Sequence, residues 1–436
     1  MVIDESMRSV ILFILTTFIA CLAHAQKEIT GSTDTTCIQK DVTDALRKLF
    51  KKPPKPDVVN DNTGSFLLVP IIGSNPATGF MLGVGGQYAF RLAGAETRYS
   101  LISGSVQFTT KNQKLFLLKN NIYTKNNNIY FSGDWRFLIF SQPTYGLGTN
   151  APEGGILDYQ LNLGGQETSD DTLAQPLNFN FLRFYQSASF RLLKKYPSLY
   201  LGFGYNLDYY YNIEDEKLRL NPGDSLITSH YAYNTYYGFN TKEYSASTLN
   251  INIVADTRDN IINAYKGYFL TLSWRGGFKL LGNKNNASFF HTEWRSFHPF
   301  SKRNPRHQMA FWLLGDFTPG GEFPYMTLPA TAYDQRSRSA RGYTQGRFRG
   351  NNLIYGEAEY RFPLSSCGGM WGGVLFVNAS TASTPDQSLT LFESVKPGYG
   401  LGLRIMVDKK SRTNLAVDIG FGDKSFGFYL AASEAF

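Results

Sequence analysis

Cysteine is scarce: 436 residues hold three, at Cys21, Cys37 and Cys367. A disulfide framework and a thiolate metal cluster are thereby excluded. Histidine is almost as rare, and no G-x-S-x-G segment occurs. An activated serine needs a partner imidazole, and His230, His291, His298 and His307 stand in no recognisable serine context. His291, with Glu293 and Arg295 on the same face, reads as polar packing. A hydrolase such as a membrane phospholipase is therefore not expected, nor is a cofactor. Also lacking is an apolar run long enough for a helical span outside the N-terminus, and the mean hydropathy of -0.25 rules out a helical inner-membrane protein. The net charge is +8, but the cations are scattered among loops and strands with no compact basic module, so nucleic-acid binding is not expected.

What is abundant is aromatic residues and glycine, with 27 Tyr, 34 Phe and 41 Gly, a composition of strands and turns. The N-terminus joins Arg8, an apolar core over 10–20 and Ala23-His24-Ala25, which together make a secretory signal peptide over 1–25. Residues 26–64 are polar except for Val42, Ala45, Leu46, Leu49 and Phe50, whose spacing predicts a short helix that Pro53-Pro54 ends. It reads as a helix on a barrel rim. A plug or a helix lying on the membrane surface is the sharper alternative.

From residue 65 to 436 the period is two. Leu199, Leu201, Phe203, Tyr205 and Leu207 alternate with Tyr200, Gly202, Gly204, Asn206 and Asp208; Leu415, Val417 and Ile419 oppose Ala416 and Asp418. Successive strand residues point to opposite faces, so one face is apolar and the other small or charged. With the export signal, this pattern predicts an all-β fold: a 16-stranded antiparallel transmembrane β-barrel with a short N-terminal helix. Sixteen segments are counted, the first over 66–72 and the last over 425–436. The longest connections, 141–176, 214–244, 318–351 and 382–398, all follow odd-numbered strands. That parity places the long loops outside the cell and both termini in the periplasm of a bacterial outer membrane.

One stretch stands apart. Five arginines, Arg336, Arg338, Arg341, Arg347 and Arg349, crowd the loop that precedes a strand carrying Glu357, Glu359 and Arg361 on one face. A cationic loop beside lumen carboxylates suggests a loop folded inward. Arg341 would pair with Glu359, while Gly342 allows a tight turn. A solvated loop binding lipopolysaccharide phosphates is the other reading, and it is the one favoured for Arg336, Arg338, Arg347 and Arg349.

Arg341-Gly342-Tyr343, in the loop between the eleventh and twelfth strands, resembles the arginine-glycine-aromatic signature of the BamA/TamA-type outer-membrane barrels, the bacterial surface antigen family. Asp256-Thr257-Arg258-Asp259-Asn260, followed by Lys266-Gly267, is similar to that family's turn between strands 8 and 9, although Ile261 and Ala264 stand where prolines are usual. Gly398-Tyr399-Gly400-Leu401-Gly402-Leu403-Arg404 resembles its glycine-rich strand 14, and terminal Phe436 its targeting end. The resemblance covers residues 65 to 436. It implies a barrel that assists insertion or translocation of proteins, with outer-membrane lipids, lipopolysaccharide and an unfolded outer-membrane or exported client as partners. A passive low-conductance pore for small polar solutes is the alternative, and the oligomeric state is open. The family's periplasmic POTRA modules, some seventy-odd residues each, do not fit within 26–64. The family's strand-13 aspartate is replaced by Asn378, which leaves the negative partner to Glu359 or Glu357. The family's mechanism would use a soft seam between the first and last strands, where Pro70 cannot donate to a ladder and Phe436 closes the chain. Cys37 and Cys367, both on the periplasmic side by parity, form either one disulfide or two free thiols.

Overall fold

The computed structural model describes residues 39–51, 64–75, 79–94, 97–151, 174–301, 303–364, 368–384 and 389–436. All fall in the unit Cys37–Phe436. The signal peptide, Cys37 and Cys367 lie outside the described residues, and with them the question of the disulfide.

Alternation of apolar and small or polar residues produces sixteen strands in one sheet, each antiparallel to its chain neighbour. They are β1 (Ser65–Asn75), β2 (Gly79–Phe90), β3 (Ser100–Thr109), β4 (Lys114–Tyr123), β5 (Ile129–Thr144), β6 (Gln175–Leu193), β7 (Tyr196–Asp215) and β8 (Tyr244–Asp256). The second half comprises β9 (Gly267–Gly277), β10 (Ala287–Pro299), β11 (Gln308–Gly320), β12 (Asn352–Pro363), β13 (Trp371–Ser383), β14 (Lys396–Asp408), β15 (Thr413–Gly422) and β16 (Ser425–Ala431). The sheet curls into a nearly closed barrel of the expected strand number. No hydrogen-bonded ladder joins β1 to β16 among the described residues.

The pleat decides what each face meets. Phe66, Leu68, Phe203, Leu249, Ile251, Leu375, Val377, Tyr399, Leu401 and Phe428 all point outward and are exposed. Such an apolar belt is intelligible against lipid and costly against water. Inward face the buried Asp134, Arg183, Asp208, Asn252, Glu293, Arg295, Glu357, Glu359 and Asp418. This is a membrane barrel with a polar interior.

The two ends differ. At one, connections are tight, such as Lys194 and Lys195 between β6 and β7 or 409–412 between β14 and β15. Here the predicted helix α1 (Val42–Leu49) lies on the rim, begun by a reciprocal cap between Asp41 and Asp44. Lys40 N donates to Gly368 O at 2.9 Å, and Lys409 N to Asp41 Oδ2 at 3.1 Å. At the other end the connections are long. That between β7 and β8 holds a hairpin of two three-residue strands and helix α2 (Ser229–Tyr236). Around α2 an aromatic cluster of Phe179, Phe181, Tyr210, Tyr233, Tyr244 and Tyr325 forms a lid of buried rings.

Candidate functional site

Three segments turn inward and meet in the lumen: the loop over 321–351, the turn over 257–266 and the tail over 432–436. The loop enters from the long-loop end, where buried Arg349 donates to the carbonyls of Tyr325 (3.2 Å) and Met326 (2.9 Å). These bonds bind its outgoing limb to its incoming one. Asp334 then gathers the loop's tip: its carboxylate accepts from the amides of Arg336 (2.9 Å) and Ser339 (2.9 Å) and from Ser339 Oγ at 2.8 Å. Ala340 at φ 60 and Gly342 at φ 106 bracket Arg341 and turn its side chain into the wall. The glycine is required there, since a Cβ on Gly342 would come within 2.7 Å of the Phe421 carbonyl.

Arg341 is fully enclosed. Nη2 pairs with Glu357 Oε1 at 2.6 Å and with Glu359, Nε reaches Glu357 Oε2 at 3.2 Å, and Nη1 pairs with Asp418 Oδ2 at 2.7 Å. Its guanidinium carbon lies 3.7 Å from the centre of the Phe376 ring. A buried guanidinium needs compensating charge and hydrogen bonds, and here each of its three nitrogens meets a carboxylate, with a π-face below. The carboxylates are balanced in turn: Arg361 pairs with Glu359 (2.6 Å), Arg404 with Asp418, and Tyr355 Oη donates to Glu357 (2.6 Å). Tyr343 Oη donates to Pro397 O at 2.6 Å and accepts from Asp423 N at 2.9 Å, which fixes the loop's way out. Beyond it, at the exposed turn between β15 and β16, the hydrogen bond and charge of Lys396 hold the Asp423 carboxyl below its usual range.

Sequence alone identifies Arg341, Gly342, Tyr343, Glu357 and Glu359, and the structure brings them together. Asn378 joins them through its side-chain amide. Its Nδ2 donates to Arg341 O (3.0 Å) and to Glu357 Oε2 (3.4 Å), holding the loop's backbone rather than its charge. The acid sought on β13 is supplied by Asp418 on β15, which sequence reasoning missed. Its alternation marked it as inward-facing, but nothing local tied it to Arg341. The surface reading of the other loop arginines is corrected. Arg347 and Arg349 are buried and Arg336 and Arg338 half-buried, because the whole loop lies within the barrel and takes its cations with it.

The turn motif forms a second knot. Arg258 grips Asp256 through Nε (3.0 Å) and Nη2 (2.9 Å), and Tyr123 Oη donates to the same carboxylate at 2.7 Å. Asp259 Oδ1 accepts from Tyr265 N (2.9 Å), Asn260 Oδ1 accepts from Ile262 N (2.7 Å), and Gly267 adopts φ 96. The turn thus folds into the barrel with Ile261 and Ile262 buried.

The tail departs from expectation. The sequence pattern extends the last strand to Phe436 and sets that residue at the seam, but β16 stops at Ala431. Residues 432–433 bend, Glu434 binds Arg404 Nε (2.6 Å) and Asn414 Nδ2 (2.6 Å), and Phe436 is buried against Trp312 and Phe297 at centroid distances of 5.4 and 6.1 Å. A buried carboxylate needs a cation, and Arg404 inside the barrel provides it; alternation alone does not register that pull. Pro70 does lie on β1, paired with Val84 on its one neighbour.

A barrel of this strand number with an inward Arg-Gly-Tyr loop narrows the family, and a family model decides it: the Omp85 superfamily domain matches residues 153–436. The chain belongs to the Omp85 superfamily. Among solved structures this Omp85 barrel is similar to BamA from Haemophilus ducreyi lacking POTRA domains 1–3 (13% identity, TM-score 0.48, 85% of this chain and 69% of that one). It is also similar to CdiB from Acinetobacter baumannii (13%, 0.47, 84% and 58%) and, more distantly, to OccK11 (OpdR) from Pseudomonas aeruginosa (10%, 0.26, 84% and 90%). The chain thus spans just over half of the CdiB chain. No curated protein sequence matches it. As an Omp85 barrel it is an outer-membrane protein.

Proposed function

We propose that this protein assists the insertion or translocation of proteins at the outer membrane, working through the seam between β1 and β16. The observation that carries the reading is the state of that seam. Every other neighbouring pair of barrel strands forms a ladder, whereas β1 and β16 share none among the described residues. β16 covers β15 only from Ala416 to Gly422, so Thr413, Asn414 and Leu415 have no strand beyond them. Gln87 Nε2, donating to Thr413 Oγ1 at 2.9 Å, spans the opening by a side chain alone. An edge with unmatched amides and carbonyls is a template for an incoming strand. In this reading the three lumen inserts brace the wall while one edge stays free, the long loops face outward and both termini face the periplasm.

The test is a disulfide engineered between β1 and β16 in the sole chromosomal copy, followed by quantitative proteomics of the outer membrane. Loss of a subset of outer-membrane or exported proteins on oxidation, restored by reduction, is expected. Unchanged levels in the cross-linked strain reject the seam mechanism.

A passive pore is the second reading, favoured by the cavity of about 460 Å³ that the inserts leave in the lumen, with Ser, Thr and Asn side chains in its lining. Purified protein in planar bilayers separates the two, since steady ohmic openings belong to a pore and a loop-filled barrel gives none.

A further inference from the structure

The lumen cavity is unevenly charged. Most of its charged groups are satisfied: Arg136 pairs with Asp134 (2.6 Å), Arg183 with Asp208 (2.7 Å) and Arg295 with Glu293, and Asp316 Oδ1 lies in hydrogen-bond contact with His291 Nδ1 (2.6 Å). Four cations that line it have no carboxylate within ion-pair distance among the described residues: Lys119, Arg275, Arg336 and Arg338. Lys119 stands opposite Asp134 in the ladder, but that carboxylate is already held by Arg136 at 2.8 and 2.6 Å. Arg275 lies over the rings of Tyr185 and Phe289 at 5.0 and 4.9 Å, and its buried Nε has no hydrogen-bond partner. Among the described residues the Arg336 and Arg338 side chains donate only to backbone carbonyls, those of Glu434 (2.9 Å), Ile261 (3.1 Å) and Leu430 (3.2 Å). Asp334, the acid beside them, spends its oxygens on amides and on Ser339.

Like charges held together at a low-dielectric wall focus a positive potential on the space they share, and guanidinium groups suit phosphate oxygens. The cavity is large enough for a small ligand. Its lining also includes Pro70 and Ile71 of β1, Leu415 of β15 and Leu430 of β16, beside the unladdered seam. Cations in the lining and an apolar stretch beside the seam match an amphiphile.

We propose that this cavity binds a phosphate ester, with Lys119, Arg275, Arg336 and Arg338 as the charge-recognising residues. The phosphate arrives either free in solution or as a lipid headgroup whose chains stay in the seam; the second route rests on the seam reading above, whereas the first does not.

The experiment titrates purified protein in nonionic detergent with glycerol 3-phosphate by calorimetry. In parallel, native mass spectrometry measures retention of phosphatidic acid against phosphatidylcholine. Binding in either arm is expected, and the double substitution Lys119→Gln, Arg275→Gln should weaken it by at least about tenfold. Among the described residues neither side chain makes a hydrogen bond that the fold uses, and the charge-preserving pair Lys119→Arg, Arg275→Lys should retain binding. Binding of the soluble ester alone assigns a free phosphate, and selective retention of phosphatidic acid assigns a headgroup. Should the glutamine variant fail to fold, glycerol 3-phosphate must still raise the wild-type unfolding temperature above chloride at equal ionic strength. Absence of binding in both arms, or unchanged binding in the glutamine variant, overturns the proposal and leaves the seam mechanism untouched.

Discussion

Arg341 and Asp418 lie 77 residues apart in sequence and 2.7 Å apart in the lumen. The same guanidinium binds Glu357 and Glu359, so one side chain ties β15 to β12 across the two strands between them. The pairs are reciprocal in cost. Alone in the lumen, the carboxylates would repel one another; alone there, the guanidinium would lack its hydration.

Arg341→Ala should therefore destabilise the barrel by about 3–5 kcal/mol, the range for removing one partner of a buried pair. Arg341→Lys should recover only part of this, since an ammonium cannot fork onto three carboxylates. Urea unfolding of the refolded protein gives the energy, and trypsin cleavage within 336–349 reports the loop. Wild-type stability with an uncut loop in the alanine variant would show the network to be dispensable.

The wall beneath the loop is cut to fit it. A Cβ on Gly420 would stand 2.8 Å from Gly342 N and 3.0 Å from the Arg341 carbonyl carbon, where neither backbone can yield. Gly420→Ala should lift the loop from β15 and make it protease-sensitive. Gly356→Ala is the control: its Cβ meets only Leu313 Cδ1, at 3.8 Å, and the change should stay within about 0.5 kcal/mol. Equal protease resistance in both variants would count against the close fit.

Much of this architecture was legible because alternation is a local property. Sixteen strands, their inward faces and the parity of loop lengths follow from neighbours in sequence, and so does the proximity of Arg341 to Glu357 and Glu359, on the strand that follows the loop. Asp418, Phe376 and the inward tail were not legible. Contacts across the lumen depend on how far successive strands are staggered around the barrel, and no pairwise pattern in the chain encodes that sum. Phe436 shows the limit well: its spacing from Phe426 and Phe428 continues the outward face, yet the charge pair of Glu434 and Arg404 draws it inside.

Phe436→Ala should cost about 3–5 kcal/mol, the range for deleting a buried phenyl ring, because Trp312, Phe297 and the Arg361 guanidinium at 5.0 Å all lose the same partner. Phe426→Ala on the lipid face should cost far less in detergent, since that ring is 76% exposed. Unfolding midpoints measured under the same conditions compare them, and equal losses would place Phe436 on the outer surface.

The lid around α2 should be sensitive to acid through His230. That imidazole is buried; Nε2 is shared by Tyr244 Oη at 3.1 Å and Asn234 Nδ2 at 3.0 Å, and Nδ1 lies 3.8 Å from Asp215 Oδ2. Burial first, then Arg349 and Lys242, push it down from 6.5 to about 3. A depressed folded value means that His230 stays neutral in the lid while the opened lid takes up a proton once the pH falls below 6.5. Stability is then complete above pH 6.5 and declines as the pH drops toward 3. Hydrogen exchange over 216–243 should be slow at pH 8 and 7 and quicken progressively from pH 6 to 4, after correction for the intrinsic pH dependence of exchange. His230→Gln, which keeps a polar group but cannot titrate, should flatten that trend. A corrected profile that is level from pH 8 to 4 in the wild type would remove His230 as an acid-sensitive element of the lid.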